Sequence, residues 1–159
     1  MQKANKKVEV FGAVRVSTTT QGADEKESPQ QQKEDISYWL EKNNFPPVKH
    51  WVEDIGKSAR EFSQIEYGNL GKALNKIQKS KYEKGSKLLI FANSDRFSRA
   101  EVGTALTKFT DIIFNKGIDI VFVNLDLHIS SNLPENTISQ QIFLVFASFQ
   151  QNSIYWKNT

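Results

Sequence analysis

The feature that most constrains this chain is an alternation of short β-branched apolar runs with longer stretches of helical periodicity. Val8–Val16 (VEVFGAVRV), Val48–Glu53, Leu88–Ala92 (LLIFA) and Ile118–Asn124 (IDIVFVN) read as strands, short and rich in Val, Ile and Phe. Between them lie helical segments. Ser28–Asn43 opens on Ser28-Pro29-Gln30-Gln31, which supplies an N-cap, a proline at the first helical position and a capping-box partner. Its apolar residues Ile36, Trp39 and Leu40 share one face. Leu70–Ser80 carries Leu70, Ala73, Leu74 and Ile77 on one stripe. Ser98–Lys116 begins on a second capping box, Ser98-Arg99-Ala100-Glu101, and Thr137-Ile138-Ser139-Gln140 caps a last helix running to about Trp156. The polar stretch Thr18–Lys26, with Gly22, reads as a mobile loop. The alternation predicts an α/β fold of three layers, with a central, mostly parallel sheet flanked by helices and a long C-terminal helix.

Composition narrows the class. A chain of 159 residues is expected to form a single domain, 1–159. With no cysteine there is neither a disulfide framework nor a thiolate metal site. No apolar run approaches the ~20 residues of a membrane span, and Met1–Gly12 lacks the pattern of a signal peptide. A cytoplasmic protein with no membrane partner is the expectation. The net charge of +3 and pI near 9.0 suit an anionic partner such as nucleic acid without requiring one. The two histidines, His50 and His128, sit beside strands and read as surface or half-buried residues rather than metal ligands.

Active sites in parallel α/β sheets lie beyond the carboxyl ends of the strands, and two such ends are rich in polar groups. The first is Arg15-Val16-Ser17-Thr18-Thr19-Thr20-Gln21, where period-2 alternation puts Arg15 and Ser17 on one face. An arginine on a buried strand needs a partner, either a bound anion or a structural ion pair with Asp54 or Asp95. The second is Asn93-Ser94-Asp95-Arg96-Phe97-Ser98-Arg99, which runs into a helix start. A helix N-terminus favours anions, and arginine forks bind phosphate oxygens in pairs. A serine, three arginines and a carboxylate at neighbouring strand ends point to phosphoryl transfer, which depends on charge stabilisation of the transferring phosphate. Neither G-x-x-x-x-G-K-[ST], G-x-G-x-x-G nor G-x-S-x-G occurs.

These runs, VRVSTTTQ, SPQQQ, EDIGKSA, GNLGKAL and GSKLLIFANSDRFSRAE, resemble in order and spacing the catalytic domain of the serine site-specific recombinases over about Phe11 to Asn124. That family includes resolvases, invertases, large serine integrases and related transposases, and this chain looks like a phage- or element-borne branch of it. The resemblance implies a resolvase-like fold and a nucleoid-associated enzyme acting on DNA as a homodimer that becomes a tetramer in the synaptic complex. It implies that Ser17 attacks a DNA phosphodiester to give a 5′-phosphoserine link, and that Arg15, Arg96 and Arg99 stabilise the transition state. Asp95 would orient an arginine or assist proton transfer, and Gln21, Gln32 and Arg60 would bind phosphate or support the site. No cofactor and no metal are expected. The serine has no histidine base, so its activation would rest on surrounding positive charge.

The chain departs from that pattern in three places. Ile65-Glu66-Tyr67-Gly68 stands where the family commonly has a further arginine, and Ala13 stands where an aromatic is usual. The end of the last helix, Phe149–Lys157, carries little charge. These departures keep open a second reading, a catalytically degenerate domain serving a DNA-associated assembly. No helix-turn-helix or zinc-ribbon module is recognisable in the 159 residues, so the expectation is an excised catalytic domain or a truncated gene, with the DNA-binding domain absent from this chain. The apolar residues Ile142, Phe143, Val145, Phe146 and Phe149 either pack on the sheet or form a dimer seam.

Overall fold

In the computed structural model the alternating runs become a five-stranded sheet of order β2-β1-β3-β4-β5. The structure describes residues 7–17, 28–56, 69–78, 83–94 and 102–158. β1 (Glu9–Ser17), β2 (His50–Gly56), β3 (Lys87–Phe91) and β4 (Asp119–Phe122) run parallel, and β5 (Leu127–Ile129) pairs antiparallel with β4. The helices are α1 (Pro29–Lys42), α2 (Asn69–Gln78), α3 (Val102–Thr110) and α4 (Glu135–Asn158).

Side-chain alternation along the strands builds the layers. Phe11 and Ala13 of β1 face a core completed by Leu70 and Leu74 of α2, Phe109 of α3, and Ile138, Ile142 and Val145 of α4. Val10 faces the opposite core, closed by Ile36, Trp39 and Leu40 of α1. The sheet thus lies between α1 on one side and α2, α3 and α4 on the other, the three-layer arrangement expected. Ser28 caps α1 as its sequence predicts: Gln31 N–H donates to Ser28 Oγ at 3.1 Å, and Pro29 occupies the first turn.

The differences from the sequence reading are local. β1 and β2 extend to Ser17 and Gly56, past the expected Val16 and Glu53, because backbone pairing continues beyond the last apolar residue. The described part of the segment read as one helix, Ser98–Lys116, is an α-helix followed by a π-helical turn at Asp111–Asn115. The wider turn brings the consecutive Ile112 and Ile113 both to the core, which a 3.6-residue repeat does less well. Lys116 N–H donates to Asp111 O at 3.0 Å, and the Lys116 ammonium pairs with the Asp111 carboxylate at 3.1 Å. β4 stops at Phe122 rather than Asn124 because Val123–Leu125 forms a 3-10 turn. β5, three residues long, shows no sequence signal of its own. It is held by Asp119, whose Oδ1 accepts from Ser131 N–H and Oγ (both 2.8 Å) and whose Oδ2 meets His128 Nε2 at 3.0 Å. α4 starts at Glu135, two residues before the expected cap at Thr137.

Gly12 lies beneath the indole of Trp51. A Cβ at residue 12 would stand 2.6 Å from Trp51 Cζ3 and 3.2 Å from Val48 Cγ2. We expect Gly12→Ala to cost about 1–3 kcal/mol of stability by overpacking, and Trp51→Ala to recover most of that cost when the two are combined. Urea denaturation of the four variants in this cycle measures it; a Gly12→Ala cost unchanged by Trp51→Ala would locate the strain elsewhere.

At the amino edge of the sheet Glu9 bridges two strands. Its Oε1 receives the Lys87 ammonium from β3, and its Oε2 meets His50 Nε2 from β2 at 2.6 Å. The hydrogen bond from Lys87 holds the Glu9 carboxyl below its ordinary value of 4.5, against the opposing effect of burial and with a further contribution from His50. A depressed folded-state value stabilises the protein above the unfolded value, and that stabilisation is lost as the pH falls through the folded one. Glu9→Gln should therefore reduce stability at pH 7 and flatten the loss of stability below about pH 4.5. Melting temperatures of both proteins between pH 3 and 7 test this; parallel curves would contradict it.

Candidate active site

The strand order reverses between β1 and β3. The chain leaves β1 for β2 on one side and later returns to β3 on the other. In open α/β sheets such a switch point opens a crevice at the carboxyl ends of the strands. At this point of the sheet the paired strands differ in length. β1 pairs with β3 only as far as Ala13–Phe91, but with β2 as far as Ser17–Gly56. The last four residues of β1 therefore extend beyond their β3 partners, and they include Arg15 and Ser17.

An overhanging strand edge carries backbone groups that need partners. Gln32, on the first turns of α1 and buried at 8% exposure, meets this need. Its Oε1 accepts from Arg15 N–H at 2.9 Å, and its Nε2 donates to Arg15 O at 2.8 Å. One carboxamide thus does what a residue of a neighbouring strand would do, supplying acceptor and donor side by side. This fixes the backbone of Arg15 two residues before Ser17. Arg15 itself is half-buried.

The neighbouring strand ends are tied down as well. Asp54, in register with Arg15 and buried at 5% exposure, accepts from Asn69 N–H at 2.7 Å and from Leu70 N–H at 3.0 Å. It thereby caps α2, satisfying amides that the helix itself cannot. Asp54, one of the two carboxylates offered by the sequence as an ion-pair partner for Arg15, is thus the cap of α2. At the end of β3, Ser94 N–H donates to Asn124 Oδ1 at 2.9 Å and Asn124 Nδ2 donates to Ser94 Oγ at 3.3 Å, while Asn124 N–H donates to Ala92 O at 3.1 Å. Asn124 so brackets the backbone from which Asp95 and Arg96 follow in the chain. The sequence reading took it only as the end of a strand. A polar amide directly after an IVFV run, at a carboxyl edge, was the signal.

Of the residues singled out from sequence, the structure brings Arg15 and Gln32 into direct contact and places Ser17 at the tip of the same strand. The Ser17 side chain, the loop Thr18–Lys26 with Gln21, and Arg60, Asp95, Arg96 and Arg99 lie outside the described residues. On the last helix the broad apolar face divides. Ile142 and Val145 are buried and Phe146 packs against the core, whereas Phe143 and the adjacent Leu144 are 70% and 59% exposed. Among the described residues no helix is long and apolar enough to cross a membrane.

The resolvase N-terminal domain family model matches residues 10–157. Among solved structures, the chain is similar to the N-terminal catalytic domain of TP901-1 integrase, with a TM-score of 0.63 and 20% identity over 92% of this chain and 99% of that one. It is also similar to a resolvase family site-specific recombinase from Streptococcus pneumoniae, with a TM-score of 0.57 and 20% identity over 95% of this chain and 93% of that one. Comparison with curated proteins gives no match.

If Gln32 holds the β1 overhang, Gln32→Glu should cost more than its near-identical shape suggests. Glutamate keeps an acceptor for Arg15 N–H but sets a carboxylate oxygen against Arg15 O in a buried place. We expect a loss of about 1–3 kcal/mol at neutral pH, smaller when the carboxyl is protonated. Hydrogen exchange at the Arg15 amide, together with chemical denaturation at pH 5 and pH 8, measures both; an unchanged Arg15 amide would show that the strand end is held by other means.

Proposed function

Since the chain belongs to the resolvase N-terminal domain family, we propose that it is the catalytic domain of a serine site-specific recombinase, with Ser17 as nucleophile. The observation that supports this most is the overhang of β1 at the switch point, where Gln32 holds the backbone that leads to Ser17. A nucleophile on a strand tip fixed two residues upstream is pre-positioned.

In the proposed reaction the Ser17 oxygen attacks a backbone phosphorus of DNA. The new Ser17 O–P bond replaces the bond from phosphorus to the 3′ oxygen. The DNA 5′ end is then held as a phosphoserine ester, and the departing 3′ oxygen leaves as a hydroxyl with the proton lost by the serine. A 3′-hydroxyl from the exchanged strand reverses the step and frees Ser17. Arg15, Arg96 and Arg99 balance the charge on the phosphorane oxygens, and Asp95 orients one of the arginines or assists the proton transfer. Gln21 and Arg60 bind the phosphate or support the site. Strand exchange requires copies of the chain to meet, and the exposed pair Phe143 and Leu144 on α4 is the apolar surface suited to that contact.

Ser17→Ala in the full-length protein should abolish the covalent protein–DNA adduct while leaving DNA binding intact. Arg96→Lys and Arg99→Lys should each slow adduct formation by on the order of 10²–10³, because lysine keeps the charge but loses the two-pronged fork. Denaturing gels of end-labelled DNA measure both. An adduct that persists in Ser17→Ala would move the nucleophile to another hydroxyl. Thr18 and Ser94 are next in line, and Ser94 is the weaker of the two, since it is buried at 5% exposure and its Oγ is bonded by Asn124.

A further inference from the structure

Past the pairing of Phe91 with Phe122 the ladder between β3 and β4 ends, and one residue continues the connection. Asn124, in the 3-10 turn Val123–Leu125, reaches to both sides of Asn93. Its N–H donates to Ala92 O at 3.1 Å, its Oδ1 accepts from Ser94 N–H at 2.9 Å, and its Nδ2 donates to Ser94 Oγ at 3.3 Å. Ser94 is buried, so its amide depends on that acceptor. Asn124 itself is exposed and belongs to neither apolar core. The turn that presents it is anchored in its own right. Asp126 closes the turn in the left-handed region, at φ 49°, a conformation that Asp tolerates better than most residues. Its N–H donates to Val123 O at 3.0 Å, and its Oδ1 accepts from Trp39 Nε1 at 2.9 Å. Trp39 is seated in the core beneath α1.

One helix therefore holds two strand ends. Gln32, in the first turns of α1, bonds the backbone of β1 directly. Trp39, about two turns later on the same face, bonds the turn that in its turn bonds Ser94. Asp95 follows Ser94 directly in the chain, with Arg96 and Arg99 close behind. We propose that Asn124 is a positioning residue for strand cleavage. It fixes the backbone from which Asp95, Arg96 and Arg99 follow, and it does so in a frame shared, through α1, with the strand that carries Ser17. The role rests on the recombinase reading, in which those arginines stabilise the phosphorane. It concerns the reaction step more than DNA binding, because a displaced arginine fork still attracts phosphate but no longer matches the transition-state geometry.

The test uses the full-length protein on a nicked DNA site and measures two quantities separately, the Kd for DNA and the rate of covalent adduct formation at saturating protein. Asn124→Ala should slow adduct formation by ~10-fold or more while the Kd for DNA changes by less than ~3-fold. Asn124→Asp keeps an acceptor for Ser94 N–H and can accept from the Ser94 hydroxyl, so it should restore most of the rate. In an Arg96→Lys background Asn124→Ala should cost less than ~3-fold, because the fork it positions is already lost. Asp126→Gly keeps the left-handed backbone and removes the bond to Trp39. It should slow the adduct in the same direction, whereas Asp126→Asn, which keeps the acceptor, should not; this pair decides the question if Asn124→Ala does not fold. An unchanged rate at saturation, a loss confined to DNA affinity, or a full effect in the Arg96→Lys background would each overturn the role of Asn124 and leave the recombinase reading in place. Absence of any adduct with the unsubstituted protein would overturn that reading, and this role with it.

Discussion

β1 is longer than the strand beside it, and that mismatch governs the carboxyl edge of the sheet. Once β3 ends its pairing at Phe91, the backbone of Arg15 needs partners that no strand provides. Gln32 supplies both from α1, the next described element in the chain. The consequence reaches along the chain. α1 is seated by Ile36, Trp39 and Leu40 on one face of the sheet, so the position of the strand tip is referred to a packed core rather than to a loop. Any chemistry at Ser17 inherits that rigidity, which is what positioned catalysis requires.

The other strand ends follow the same logic with different residues. Asp54 spends its buried carboxylate on the first amides of α2, and Asn124 brackets Ser94 at the exit of β3. Among the described residues, Gln32, Asp54 and Asn124 each bind backbone at this edge, so the tips of β1, β2 and β3 are held where they emerge. At the opposite edge the polar ladder Lys87–Glu9–His50 ties the same three strands together across their starts. The sheet is therefore pinned at both edges by polar contacts and in its middle by two apolar cores.

Much of this was legible from residue order. The four parallel strands, α1 with its Ser28 cap and the long last helix follow from periodicity and capping chemistry, because local preference and tertiary packing agree there. The strand-end position of Arg15 and Ser17 was legible for the same reason. What was not legible depends on contacts distant in sequence. β5 has three residues and exists because Asp119 captures Ser131 and His128. The π-helical turn at Asp111–Asn115 reflects the demand of the core for Ile112 and Ile113 together, which overrides the regular repeat. The bonding of Gln32 to Arg15 spans 17 residues, and no spacing rule announces that a glutamine will stand in for a strand. For Asn124 an amide directly after an apolar run is a faint signal, but its partners Ser94 and Ala92 are set only when β3 and β4 lie side by side.

The central claim is that the tip of β1 delivers the attacking oxygen. It is tested most directly by trapping the covalent complex formed by the full-length protein on a nicked DNA site. The complex is then digested with nuclease and protease, and the residue that retains a nucleotide is identified by mass spectrometry. The account predicts a single modified residue, Ser17, linked to a 5′-phosphate. Modification of Thr18, Thr19 or Ser94, or a linkage through a 3′-phosphate, would contradict it.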